Sequence, residues 1–239
     1  MIPKIIHYCW FGGNPLPKSA RKCIESWKKF FPDFEIREWN ESNYDVKKIP
    51  YVAEAYEAKK YAFVSDYARF DILCQYGGVY FDTDVEVIRP FDDILERGAF
   101  MGCETDGEDV NPGLGIAAPP GLGIYREILD YYATQHFQDA DGSLNTETVV
   151  TKTTRILKEH GWQNGPGIQR VSEISVYPKA YFNPMDNNTG KMRITEQTHS
   201  IHWYSMSWMP KRQVLIRGVT RVFHRLFGVD CFRFLKKNG

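Results

Sequence analysis

Two carboxylates spaced two residues apart, Asp82 and Asp84, close the stretch SDYARFDILCQYGGVYFDTDVE at residues 65–86. Paired hard-oxygen donors suit a divalent cation, with its remaining positions left for phosphate. Upstream, Asp66 and Arg69 are three apart in a helix-like run and share a face. Gly77 and Gly78 end that helix. Val79, Tyr80 and Phe81 then form a β-type run, which predicts that Asp82 and Asp84 project to one side at a strand end. Asp-x-Asp alone is weak, since a chain this rich in aspartate supplies about one by chance. A second, Asp139-Ala-Asp141, lies in a Gly/Ser/Asn-rich stretch that reads as solvated loop. Only the first follows a double-glycine turn and a hydrophobic run, behind a helix with its own Asp/Arg pair.

Asp66 and Arg69 could be a surface ion pair contributing a few tenths of a kcal/mol. The residues around them (Ala62, Phe63, Val64, Tyr67, Ala68, Phe70, Ile72, Leu73) are apolar nearly all round. The charges are therefore expected in a cleft. The second chemical cluster is HSIHWYSMSW at 199–208. Two histidines three apart would make a metal pair on a helix, but the flanks read as strand and then loop. An aromatic core strand with incidental histidines is the alternative. At the N-terminus, KIIHYCW at 4–10 reads as a buried strand, with His7 packed inside it and Trp10 at its carboxyl end before a Gly-Gly loop. Ligands of α/β sheets sit beyond such ends, so Trp10 is either a stacking platform or core.

The ordered set Ser65-Asp66-x-x-Arg69, helix, Gly77-Gly78, aromatic strand and Asp82-x-Asp84 resembles the donor-binding core of glycosyltransferase family 32, related to glucosylating toxins. The N-terminal IPKIIHYCWFGG at 2–13 and the His…Ser-Trp element near 202 extend the likeness over most of the first 210 residues. The resemblance implies a Rossmann-like GT-A α/β domain with a mixed central sheet. It also implies retaining transfer of a hexose from a nucleotide sugar, UDP-hexose by expectation, to an oligosaccharide or lipid-linked glycan in surface or capsular polysaccharide synthesis. Mn2+ or Mg2+ would be held by Asp84 and Asp82, with His202 completing the set. Trp10 and Phe11 would face the nucleotide, Asp66 the sugar hydroxyls and Arg69 the diphosphate. Ser207 and Trp208 would donate hydrogen bonds to that diphosphate. A non-catalytic carbohydrate-binding module needs no Asp/Arg helix before Asp-x-Asp. A metal-dependent phosphohydrolase or nucleotidyltransferase would show further acidic or basic phosphate ligands near Asp82.

To position these residues the pattern predicts helices at 17–31, 51–61, 121–137 and 145–160. Strands are expected at 34–39, 79–90, 100–103 and 114–118, with a Gly/Asp/Asn-rich acceptor-facing loop at 104–113. With 239 residues, 43% of them hydrophobic and five scattered cysteines, the chain reads as one domain in a reducing setting, without disulfides or zinc. No apolar run suits a signal peptide or a membrane span, and no nucleic-acid partner is expected. The overall charge is zero but uneven. Residues 211–239 hold eight Lys/Arg and one acid, Asp230, so residues 1–210 carry the matching negative excess. The expected division is a catalytic domain at 1–210 and a basic amphipathic tail at 211–239. In the tail Leu215, Val219, Val222 and Leu226 align, opposite Arg217, Arg221, His224 and Arg225. Such a helix either docks on the domain or binds an anionic membrane surface, which would make the protein cytoplasmic and peripheral.

Overall fold

The computed structural model describes residues 1–105, 107–205, 211–228 and 231. In chain order the elements are β1 (Ile5–Cys9), α1 (Lys18–Phe30), β2 (Glu35–Trp39), α2 (Pro50–Glu57), α3 (Tyr61–Tyr76), β3 (Gly78–Tyr80) and β4 (Val85–Val87). Then come α4 (Asp92–Glu96), β5 (Phe100–Gly102), a 3-10 turn (Pro112–Leu114), β6 (Ile116–Ala118), α5 (Gly123–Ala133) and α6 (Val149–Glu159). The chain continues through β7 (Gln169–Val171), β8 (Ile174–Tyr177), a second 3-10 turn (Lys179–Tyr181), β9 (Ser200–His202) and α7 (Lys211–Phe227).

Seven strands form one mixed sheet in the order β2-β1-β3-β6-β5-β8-β7, and β4 pairs with β9 in a separate antiparallel ribbon. This is the mixed α/β architecture expected of a GT-A domain. Alternation along the strands divides the core into two layers. Val79, Phe81, Phe100 and Ala117 face Trp27, Phe31 and Phe91, whereas Tyr80, Met101, Ile116 and Ala118 face the helices α2, α3 and α5. β1 and β3 run parallel, with His7 opposite Tyr80, so Trp10 and Asp82 leave the sheet at the same edge. Gly78 permits this close pairing. Its φ is +106°, and a Cβ there would lie 2.5 Å from the Ile5 carbonyl oxygen. His7 is fully buried between the Gly77 carbonyl (2.9 Å) and the Trp39 indole N–H (3.0 Å). Burial lowers its pKa to about 4, so it is a neutral packing residue.

Four expected elements differ. The helix anticipated at 51–61 is two helices, broken where Lys59 takes a left-handed φ of 57°. The helices at 121–137 and 145–160 shorten to α5 and α6. The strand at 79–90 ends at Tyr80, because the Val85 N–H closes a turn on the Asp82 carbonyl at 3.0 Å and the chain re-emerges as β4 in the other sheet. The Asp-x-Asp aspartates therefore sit in a turn between two sheets rather than on a strand. All five cysteines are free, and burial pushes the thiols of Cys9, Cys23 and Cys103 up to about 12. Among the described residues no helix is long and apolar enough to cross a membrane.

The ribbon is held by α1, whose buried face is Ala20, Cys23, Ile24 and Trp27. The Trp27 indole N–H donates to the Val85 carbonyl at 2.8 Å, and the Ser26 hydroxyl accepts from the Val87 N–H at 2.9 Å. Trp27→Phe should leave that carbonyl unpaired in the core and lower unfolding free energy in urea by about 1–3 kcal/mol. A loss below about 0.5 kcal/mol would show that β4 is fastened by other contacts.

Candidate active site

The turn after β3 brings Asp82 and Asp84 to His202, the last residue of β9. One ligand atom from each of the three lies within 4.8 Å of the others. Pairing of Val85 with His202 across the ribbon sets this register. His202 Nε2 is 3.1 Å from Asp84 Oδ1, and the Ser205 N–H donates to Asp84 Oδ2 at 2.7 Å. His202 is buried and its Nδ1 has no hydrogen-bond partner. Its ring meets the Tyr204 ring edge-on, centroids 4.2 Å apart. Tyr204 takes a left-handed φ of 50°, unusual for an aromatic residue, and its hydroxyl accepts from Asn183 Nδ2 at 2.6 Å.

Behind this cluster α3 supplies Arg69. Its side chain is 4% exposed, and Nη2 lies 3.1 Å from both Asp66 Oδ1 and Asp82 Oδ1. The guanidinium also stands over the Tyr80 ring at 5.2 Å, and the Tyr80 hydroxyl donates to Asp82 Oδ1 at 3.1 Å. Asp82 presses against Gly113, where a Cβ would come within 2.3 Å of Asp82 Oδ2, so a larger residue there would displace the carboxylate. Asn111 Oδ1 accepts the Gly113 N–H at 2.7 Å and holds that turn in place.

Burial raises the Asp82 carboxyl, with Arg69 opposing. It lifts Asp66 to about 6, again against Arg69. Burial would also raise Asp84, but the His202 charge and hydrogen bond outweigh it and hold this carboxyl below the usual range. Burial would lower Arg69 and His202, yet their carboxylate neighbours raise both. The two carboxylates are hard oxygen donors that suit Mn2+ or Mg2+, and the imidazole adds one borderline nitrogen donor. The depressed Asp84 keeps its ligand oxygen ionised.

The structure thus brings together Asp66, Arg69, Asp82, Asp84 and His202. Trp10 is half-buried at the end of β1, with its indole N–H donating to the Asn14 carbonyl at 2.6 Å. Phe11 is 6% exposed and packs edge-on against Tyr44, so its ring belongs to the core. Ser207 and Trp208 lie outside the described residues. Asp139 and Asp141 sit in an exposed turn, both bonded to Ser143. Sequence reasoning missed Tyr80, Gly113, Asn111 and Tyr204. Tyr80 was open to detection two residues before Asp82; the other three depend on chain crossings that no local pattern announces.

A pH dependence follows for the protein held in chelator. The His202 pKa is raised above 6.5, so its pairing with Asp84 stabilises the fold fully below that value and is lost as pH rises through the higher folded value. Asp84, whose pKa is depressed, keeps its contribution until far more acidic conditions. Melting temperature without metal should fall above neutral pH, and His202→Gln should flatten that decline. An unchanged pH profile in the variant would show that the pair adds nothing to stability.

Residues 17–101 match the glycosyltransferase sugar-binding region containing DXD motif. An uncharacterized glycosyltransferase of Acanthamoeba polyphaga mimivirus is 26% identical over 224 residues, covering 88% of this chain and 85% of the relative. Inositol phosphoceramide mannosyltransferase 3 of Schizosaccharomyces pombe is 28% identical over 146 residues, 57% of this chain but only 40% of that protein. Among solved structures, the PaToxG glycosyltransferase aligns with a TM-score of 0.48 at 18% identity, covering 66% of this chain and 69% of that one. The stretch that carries Asp66, Arg69, Asp82 and Asp84 is the DXD-containing sugar-binding region of a glycosyltransferase, and by that region and its relatives the chain is a glycosyltransferase.

Proposed function

We propose that the chain transfers a hexose from a nucleotide sugar, with UDP-hexose as first candidate, to a hydroxyl of a glycan or lipid-linked glycan, using a divalent cation. The observation that carries this reading is the convergence of Asp82, Asp84 and His202 within 4.8 Å, beside a buried Arg69. Asp84, Asp82 and His202 are the residues that would hold Mn2+ or Mg2+. The cation would offset negative charge developing on the leaving diphosphate. Arg69, held rigid by two carboxylates, presents its guanidinium to phosphate oxygens without an ordering cost at that moment. Asp66 accepts hydrogen bonds from sugar hydroxyls. Trp10, at the same sheet edge as Asp82, offers an indole face to the base. The family resemblance implies retention at the anomeric carbon. A front-face route, in which the departing phosphate oxygen takes the acceptor hydroxyl's proton, would give that outcome without an enzymic nucleophile. The mannosyltransferase relative, named for an inositol phosphoceramide acceptor, supports a hexosyl donor and an acceptor carried on lipid.

Two measurements test the reading. UDP should raise the melting temperature only when Mn2+ is present, and a panel of UDP- and GDP-hexoses should reveal a metal-dependent hydrolysis of one donor. Asp84→Asn should reduce that turnover to background while the circular dichroism spectrum is unchanged. Full turnover by the variant at saturating Mn2+ would remove Asp84 from the metal site. Separately, Trp10→Ala should weaken UDP binding by about 1–3 kcal/mol, the range for base–aromatic stacking. Unchanged affinity by isothermal titration in a folded variant would make Trp10 a packing residue.

A further inference from the structure

Helix α7 has two unlike faces, and its arginine face is the one seated on the domain. Arg221 donates through Nε to the Asn187 carbonyl at 3.0 Å and through Nη2 to Asn187 Oδ1 at 2.9 Å; Arg225 Nε donates to the Thr189 carbonyl at 3.1 Å. Four residues apart, these arginines share one side of the helix. The turn they grip is itself fastened, because Asp186 Oδ1 accepts from the Asn188 N–H (3.1 Å), the Thr189 N–H (2.7 Å) and the Thr189 hydroxyl (2.7 Å). On the other side Ile216, Val219, Val222, Leu226 and Phe227 form a stripe at helical spacing. Each is between 52% and 69% exposed. A helix that merely packed on the domain would bury this stripe and leave its arginines in water. Here the stripe is left in water, and Arg221 and Arg225 are turned to acceptors on the domain.

Charge selects what covers the stripe. Residues 211–239 carry eight Lys/Arg and one acid. A second copy of the chain would bring the same positive segment against itself, and like charges would oppose the contact. An anionic bilayer suits both properties of the segment: hydrocarbon for the aliphatic side chains, and phosphate or carboxylate headgroups for the six Lys/Arg of residues 211–239 other than Arg221 and Arg225. The negative excess on residues 1–210 would keep the rest of the domain off such a surface, so that contact is confined to the helix.

We propose that α7 is a peripheral docking surface for an anionic lipid bilayer, seated on the domain by Arg221 and Arg225 and inserting the row of Ile216, Val219, Val222 and Leu226. The full-length protein should co-sediment with phosphatidylserine-containing vesicles at low salt, bind pure phosphatidylcholine vesicles far less, and be released by salt as the headgroup attraction is screened. The double variant Val222→Glu/Leu226→Glu changes only exposed positions. It should lower partition onto anionic vesicles at least about tenfold, with an unchanged melting temperature and an unchanged metal-dependent thermal response to UDP. That last readout separates this proposal from the transferase reading, since either can fail alone. Absence of vesicle binding by the unaltered chain, or equal binding by the variant, would overturn the proposal. So would a dimer in sedimentation velocity that the variant dissolves, which would assign the stripe to a second copy. A large loss of thermal stability in the variant would equally overturn it, by showing that the stripe packs within the domain.

Discussion

The site depends on keeping Arg69 charged inside the protein. A guanidinium with 4% of its side chain exposed is costly unless carboxylates surround it. Asp66 and Asp82 do so at 3.1 Å each, and the Tyr80 ring covers one face. Like charge on Asp84 adds to burial in raising the Asp82 carboxyl, and a divalent cation held by the two would relieve that repulsion. Behind the cluster, Lys152 is fully buried, bonded to the Glu147 carbonyl and lying 5.3 Å and 5.4 Å from the Tyr132 and Tyr51 ring centroids. It adds positive potential near Asp66.

Rigidity at this point comes from the way the two sheets meet. β3 delivers Asp82 from the central sheet, β4 begins one residue after Asp84, and β9 returns His202 antiparallel to β4. The Asp84 carbonyl accepts the Trp203 N–H at 3.0 Å, and the Trp203 indole donates to Glu86 at 2.8 Å. The ligand set is therefore held by backbone pairing on both sides. The ribbon in turn rests on α1 through Trp27 and Ser26. A helix from the first thirty residues thus supports a site assembled from residues 66–84 and 202. This explains how residues so far apart in the chain present oxygen and nitrogen donors to one point.

The hydrophobic layers serve the same end. Phe81, between Asp82 and Tyr80, is fully buried against Trp27, Phe31 and Phe91, while Tyr80 turns the other way beneath Arg69. The strand alternation that builds the core also decides which ring touches the charged cluster. Core packing and site chemistry are here two faces of one strand.

The amino-acid sequence by itself showed many of the local elements and the residue types on which the proposed chemistry rests. The 3.6-residue spacing of Ala20, Cys23, Ile24 and Trp27, the glycines that stop α3, and the Asp66/Arg69 and Asp82/Asp84 pairs are all short-range patterns, fixed by backbone sterics and side-chain type. The apolar surroundings of Asp66 and Arg69 also announced their burial. Tertiary structure decided the rest. That Asp82 and Asp84 lie in a turn rather than on a strand follows from β4 leaving for a second sheet. The juxtaposition of His202 with Asp84, 118 positions earlier, and of Gly113 with Asp82 arises from strand pairing and chain crossing, which carry no periodic signature. In α7 the sequence showed two faces but not their orientation. The carbonyls of Asn187 and Thr189 decided it, because they offered the arginines hydrogen-bond acceptors at the point where the helix meets the domain.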